Sequence, residues 1–271
     1  MKSKKVFVMA IIIAAIGAAG PPAISSGAQQ ASATVPEKEV TLISVFDNYE
    51  IDPELRTGWG LGCVVKTSRE TLLFDTGGSS EILLANMAKM GIDPKSIGKV
   101  VISHIHGDHT GGLEGFLDKN SDVTVFIPDS FPGSFRNMIN RKGAKFVDVS
   151  KPAKISENIF STGELYGPPQ EQSLIIDSQK GLIIVAGCAH PGIENITEKA
   201  KEIMPGKEVY LVLGGFHHPN ISVVAKIRKL GVKRVAPSHC TGDPAREAFR
   251  KEYKEDFIEY GVGKTIEIKG N

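Results

Sequence analysis

Seven histidines fall in four short segments of this 271-residue chain. Three lie in Ser103-His104-Ile105-His106-Gly107-Asp108-His109-Thr110-Gly111-Gly112. His190 follows Gly187-Cys188-Ala189, His217 and His218 follow Gly215-Phe216, and His239 stands between Ser238 and Cys240. Neutral imidazole is the commonest protein metal ligand. His104 and His106, two positions apart, can project the same way and grip one ion. The Asp108-His109 pair is offset and can grip a second. Mixed imidazole and carboxylate donors suit one or two divalent ions, with zinc the first choice and iron or manganese the alternatives. Paired ions about 3.5–4 Å apart can share a hydroxide and clamp a hydrolytic transition state.

Each histidine segment follows a short apolar run, at 100–102, 182–186, 209–213 or 235–236. Strand ends are where a rigid scaffold hands side chains to a site. Further β-branched runs at 40–46, 63–66, 71–74, 123–127, 145–149, 173–176 and 265–268 read as strands. Helical spacing is predicted over 80–90, 193–204, 222–230 and 243–253, the first and third stopping at Gly91 and Gly231. Thr110-Gly111-Gly112 opens a further helix. Meandering strands followed by strand–helix alternation predict an α/β fold, with sheets covered by helices on their outer faces. The stretches 48–60 and 128–141 are expected to be loops walling a pocket. Trp59 and Phe131, within them, are rim candidates for which burial in the core is the expected role.

Ser103–Gly112 resembles the HxHxDH motif of the metallo-β-lactamase fold superfamily, and Leu72-Leu73-Phe74-Asp75-Thr76-Gly77 resembles its earlier strand-end aspartate motif; the resemblance implies an αββα sandwich of two mixed β-sheets with helices on the outer faces. Phe46-Asp47-Asn48, Asn86, Glu171-Gln172-Ser173-Leu174, the stretch from Gly187 to Ile193 with Asn195, Gly214-Gly215-Phe216-His217 and His239-Cys240-Thr241-Gly242 are similar to one branch of it. That branch holds archaeal dihydropteroate-synthase-like enzymes, which make a dihydropterin–ribosylaminobenzene phosphate, and many metal-dependent hydrolases. The resemblance implies His104, His106 and His190 as ligands of a first ion, and Asp108, His109 and His239 as ligands of a second. It implies that Asp75 orients a ligand imidazole or completes the second site. The superfamily's Gly-His-Thr-x-Gly segment is missing, and Gly187-Cys188 stands where a bridging aspartate is expected. Cys188 is therefore a possible extra ligand as thiolate, or a small buried residue. His217 is the candidate substrate-binding or proton-transfer residue, and His218 a bystander. Thr241-Gly242 either offers backbone N–H groups to an anion or simply starts a helix.

Ahead of all this, Lys2, Lys4 and Lys5 precede the apolar run 6–19, and a small-residue stretch ends in Ala31-Ser32-Ala33. Positive end, short apolar core and small-x-small exit predict a secretory signal at residues 1–33, cleaved after Ala33, Ala28 or Ala23. The run is short of the ~20 residues that span a bilayer, so no stable membrane span is expected after cleavage. Residues 34–271 would form one domain, in a periplasmic or extracellular location. The formal charge of +1, with no basic run interleaved with aromatics, gives no basis for nucleic-acid binding. Three cysteines cannot build a disulfide framework, though Cys188 and Cys240 can pair.

The leading expectation is an exported metal-dependent hydrolase using a metal-activated hydroxide, with Asp108 also orienting the nucleophile, on a small-molecule ester, lactone, amide or phosphoester. The alternatives are a synthase joining a pterin-methyl group to an aromatic amine, and a non-hydrolytic iron redox or metal-binding protein. β-Lactam hydrolysis does not follow from the fold's name.

Overall fold

In the computed structural model, residues 38–269 are described, and they lie within the compact unit Pro36–Asn271. The expected signal segment, residues 1–33, lies outside the described residues. Among the described residues no helix is long and apolar enough to cross a membrane.

Two sheets form the molecule. In the first, β1 (Val40–Phe46) pairs antiparallel with both β13 (Thr265–Ile268) and β2 (Gly62–Thr67), and β2 with β3 (Thr71–Phe74). From β3 the sheet continues parallel through β4 (Lys99–Val101), β5 (Thr124–Pro128) and β6 (Lys145–Val149). In the second, β7 (Ala153–Ser156), β8 (Ile159–Ser161), β9 (Leu174–Ser178) and β10 (Gly181–Ala186) are antiparallel. β11 (Val209–Gly215) and β12 (Arg234–Ser238) then extend it in parallel. The parallel halves matter for function, because their carboxyl ends emerge on one edge, where loops can converge.

Residue parity explains the layering, since successive strand side chains face opposite ways. Leu72, Phe74, Ile183, Val185, Leu211 and Leu213 meet in the core between the sheets. Leu73 and Val64 face outward onto α1 (Ser80–Lys89), α3 (Leu113–Lys119) and α4 (Gly133–Arg141). Leu182, Ile184 and Val212 face α5 (Ile193–Ile203), α6 (Val223–Lys229) and α7 (Asp243–Tyr253). The architecture is the expected αββα sandwich. One further short helix, α2 (Gly107–Thr110), begins immediately after His106.

Three expectations change. Strands β7 and β8 lie outside the runs read as strands, because they are three or four residues long and carry Lys and Ser among few apolar residues. The stretch 128–141, expected as a loop, contains helix α4, which packs on the outer face of the first sheet with Phe131 buried and stacked edge-on against Phe135 at 4.9 Å. Trp59, expected in the core, is 57% exposed. Its ring lies beside that of His239 and joins none of the three buried apolar clusters.

Candidate metal centre

The carboxyl ends of β3, β4, β10, β11 and β12 deliver Asp75, the 103–109 segment, Cys188 with His190, His217, and His239 respectively. Several of these residues hold backbone conformations that side-chain-bearing residues seldom adopt. Asp75, Ala189, His217, His218 and His239 all have φ between 45° and 59°. Such strain concentrates at sites where the surrounding structure over-determines the backbone.

His104, His106 and His190 form one donor cluster, and Asp108, His109, Cys188 and His239 form another; within each, the donor atoms lie within 4.8 Å of one another. A third grouping joins Cys188 and His190 to His217 by the same criterion, so the two clusters are linked through the β10 loop. In the first, His104 Nε2 lies 3.1 Å from His106 Nδ1 and 3.3 Å from His190 Nε2. In the second, His109 Nε2 lies 3.2 Å from Cys188 Sγ, and His239 Nε2 lies 3.3 Å from Asp108 Oδ2.

The hydrogen bonds behind the rings decide which nitrogen of each carries a proton. Asp75 is fully buried; its Oδ1 accepts the Ser103 backbone N–H at 2.7 Å and its Oδ2 accepts the Ser103 hydroxyl at 2.7 Å. With its own proton committed to Asp75, the Ser103 Oγ can only accept from His104 Nδ1, at 2.9 Å. Asp75 Oδ2 also accepts from His109 Nδ1 at 2.6 Å. Asn48 Oδ1 accepts from His239 Nδ1 at 3.0 Å, and Asn48 Nδ2 donates to the His239 carbonyl at 3.3 Å. In all three rings the Nδ1–H points outward and the Nε2 lone pair points into the site. Orientation of ligand imidazoles by carboxylate, hydroxyl or amide partners is what metal sites require.

The His239 Nε2 is buried and has no hydrogen-bond partner. Lone pairs that face one another at about 3 Å in a buried site are repulsive unless a cation or proton lies between them. Protonation is opposed in the first cluster. Burial, then the neighbouring His109 and His190, pushes His104 far below the usual imidazole range. Burial and His217 bring His190 down to about 4. Burial also disfavours the His109 imidazolium, but the Asp75 carboxylate outweighs it and holds that group above its ordinary value. Burial would raise Asp108, yet the adjacent His239 and His109 hold it down to about 2, so it is a carboxylate donor. The residues present fit divalent ions.

Cys188 and Cys240 are free buried thiols whose sulfurs are 3.2 Å apart. Their mutual hydrogen bond, reinforced by burial, holds Cys188 above the usual thiol range, while the same bond and the His217 imidazole lower Cys240.

Each residue singled out in the sequence has a definite place. Asp75 orients imidazoles and does not enter either donor cluster. The exposed His217 faces the site, its ring 4.2 Å from that of His190. His218 turns away, its backbone N–H bonded to the Cys240 carbonyl at 2.9 Å. Both have positive φ, in the left-handed region. Trp59 stands 4.9 Å from the His239 ring and forms part of the rim. Asn48, Ser103, Glu171 and Gln172 had been given no role. Glu171 and Gln172 are wholly buried polar residues just before an apolar strand, a pattern that signals an internal hydrogen-bonding task.

The Metallo-beta-lactamase superfamily model matches residues 63–239. The chain is 32% identical over 250 residues to a Methanocaldococcus jannaschii 7,8-dihydropterin-6-methyl-4-(beta-D-ribofuranosyl)-aminobenzene-5'-phosphate synthase, covering 74% of this chain and 85% of that one. It is 27% identical over 198 residues to a Pediococcus pentosaceus ribonuclease Z, covering 59% of this chain and 63% of that one. A solved structure described as a metal-dependent hydrolase of the beta-lactamase superfamily superposes with a TM-score of 0.71 at 26% identity, over 85% of this chain and all of that one. With the motif residues gathered at one sheet edge and the family model spanning most of the fold, the chain belongs to the metallo-beta-lactamase superfamily.

Proposed function

We propose that the protein is an exported metal-dependent hydrolase acting on a small-molecule ester, lactone, amide or phosphoester. The observation that carries this reading is the pair of linked donor clusters whose imidazole tautomers are set by Asp75, Ser103 and Asn48. His104, His106 and His190 would hold one ion, and Asp108, His109 and His239 the other, with Cys188 as a further donor to the second. Zinc suits this nitrogen, oxygen and sulfur set. Bound there, divalent ions acidify water and polarise the scissile carbonyl or phosphoryl group.

The protein's own residues supply the rest. Asp108, ionised and half-buried, can align an attacking water while binding an ion. His217 is raised above its ordinary value by its hydrogen bond to Cys240, so it can carry a proton to a leaving group near neutral pH. Trp59 and the His217 turn flank the substrate's approach. Replacing His106, the exposed ligand of the first cluster, by Ala should abolish turnover and lower the bound metal. A panel of lactones, phosphoesters, aryl esters and β-lactams, run with elemental analysis, checks this; full activity and full metal content in the variant would sink the assignment.

The 32% identity to the archaeal synthase favours a second reading, transfer of a pterin-methyl group to an aromatic amine. Incubating the metal-loaded protein with a pterin diphosphate and 4-aminobenzoate discriminates: condensation product without hydrolysis of any panel substrate would establish the transferase in its place.

A further inference from the structure

The first donor cluster is assembled from both sheets. His104 and His106 leave β4 of one, and His190 leaves β10 of the other, yet His104 Nε2 and His190 Nε2 are 3.3 Å apart. Something must hold the two sheet edges at that spacing. Residues 171 and 172, entering β9, cross the gap with their polar groups bonded to opposite sides.

Gln172 is bonded to the first sheet. Its backbone N–H donates to the Ser103 carbonyl at 2.9 Å, and its Nε2 donates to the carbonyls of Ile102 at 2.9 Å and Phe126 at 3.3 Å. Its Oε1 accepts from the Ser161 hydroxyl at 2.7 Å. Glu171 is bonded to the β10 loop. Its Oε1 accepts the backbone N–H groups of Gly187 at 3.0 Å, Cys188 at 3.0 Å and Ala189 at 2.9 Å, and its Oε2 accepts that of His190 at 2.9 Å. Four successive amides therefore converge on one wholly buried carboxylate.

Consecutive amides turned inward make a concave anion site. The chain fills this one with its own side chain. The loop cannot take the same shape cheaply without it, because Ala189 sits at φ 59° and four buried donors would lose their acceptor. Gly187 packs so tightly on Ser103 that a Cβ there would come within 2.1 Å of its Oγ, so the loop has no room to slide. Three of the second cluster's four donors are held differently, Cys188 being the one on the Glu171-bound loop. Asp108 and His109 belong to the 103–109 segment braced by Asp75, and His239 is braced by Asn48.

We propose that Glu171 and Gln172 form a cross-sheet strut that sets the spacing between His190 and the His104–His106 pair, making Glu171 a positioning residue that acts chiefly on the first ion. The proposal rests on the two-ion reading above. Removing the carboxylate frees the β10 loop with His190 and Cys188, so the first cluster loses one of three imidazoles while the second keeps Asp108, His109 and His239 in place.

The test is cobalt(II) titration of the full-length metal-free protein, followed by its visible absorption bands and by competition with a chelator. Wild type should take up two ions. Glu171→Gln should bind the first ion about 10–100-fold more weakly, with altered absorption for it, and the second ion with a clearly smaller loss, because only Cys188 among that ion's donors lies on the freed loop. Glu171→Asp, which keeps the charge, should recover part of the loss. Gln172→Ala, which cuts the anchor on the first sheet, should weaken the first ion. Far-ultraviolet circular dichroism reads the fold of each variant independently. If Glu171→Gln and Gln172→Ala fold and bind both ions like wild type, or lose both ions equally, the strut is wrong. If wild type itself takes up no cobalt, the two-ion reading fails first and the strut has nothing to position.

Discussion

At the level of single residues, the chemistry depends on which ring nitrogen is left bare. Asn48 shows this most simply, since its amide oxygen is the acceptor that turns the His239 Nε2 inward. Asn48→Ala should leave the fold intact and lower affinity for the second ion about 10-fold or more, measured by chelator competition. A neighbouring residue makes a pH prediction. Asp47 is buried, its Oδ1 accepts the Tyr49 N–H at 2.9 Å, and its Oδ2 has no partner. Burial pushes its carboxyl from 3.8 up to about 6. The neutral form is the one the fold favours, so its stabilisation is present below pH 3.8 and is lost as pH rises through about 6. In the metal-free protein, Asp47→Asn should gain on wild type by up to about 3 kcal/mol as pH rises across that window, and no further above it. Denaturant melts at closely spaced pH values check this; a constant difference would refute it. The histidines and Asp108 were legible in the sequence because ligand type and spacing are local. The roles of Asn48, Ser103 and Glu171 were not, because each acts on a partner far away in the chain or through a bond that spacing does not encode.

Among the elements, strand ends and the loops leaving them do the positioning. The loop before β2 carries Trp59 and then Gly60, whose φ is 141° and where a Cβ would stand 2.1 Å from the Asp108 carbonyl oxygen. Leu61 donates to that same oxygen at 3.4 Å. Gly60→Ala should therefore displace the backbone of Asp108, costing about 1–3 kcal/mol of stability and disturbing the second ion in particular. By contrast, Leu213→Ala, in the core between the sheets, should cost about 2–5 kcal/mol while leaving metal content unchanged in the folded fraction. Thermal melts paired with metal analysis separate the two. Most strands and the outer helices α1, α5, α6 and α7 could be read from apolar period, α1 and α6 also from the glycines that stop them. Helix α4 and strands β7 and β8 could not. The α4 segment 133–141 is rich in polar residues and has no side-chain cap, and the hairpin of β7 and β8 is held by neighbours in its sheet more than by its own short apolar content.

Across the whole molecule, the candidate centre ties the two sheets together at one edge. An ion held by His104, His106 and His190 links sheet to sheet, so its removal should loosen the sandwich as well as end activity. Chelation should lower the melting temperature, and free zinc at 100 times its dissociation constant should restore about 2.7 kcal/mol per site. Unchanged melting with and without chelator would argue that the donors are not joined by a metal. The sequence alone determined that histidines and an aspartate stand at strand ends, that the fold is an αββα sandwich, and that a metal chemistry is encoded, because period and ligand spacing are properties of neighbouring residues. Only the tertiary structure decided that His190 meets His104 across the sheets, that Cys188 lies between both clusters, that Trp59 stays at the rim, and that Glu171 clamps the loop bearing two donors. Those facts depend on how two sheets, each complete in its own pattern, are set against one another, and no run of adjacent residues records that distance.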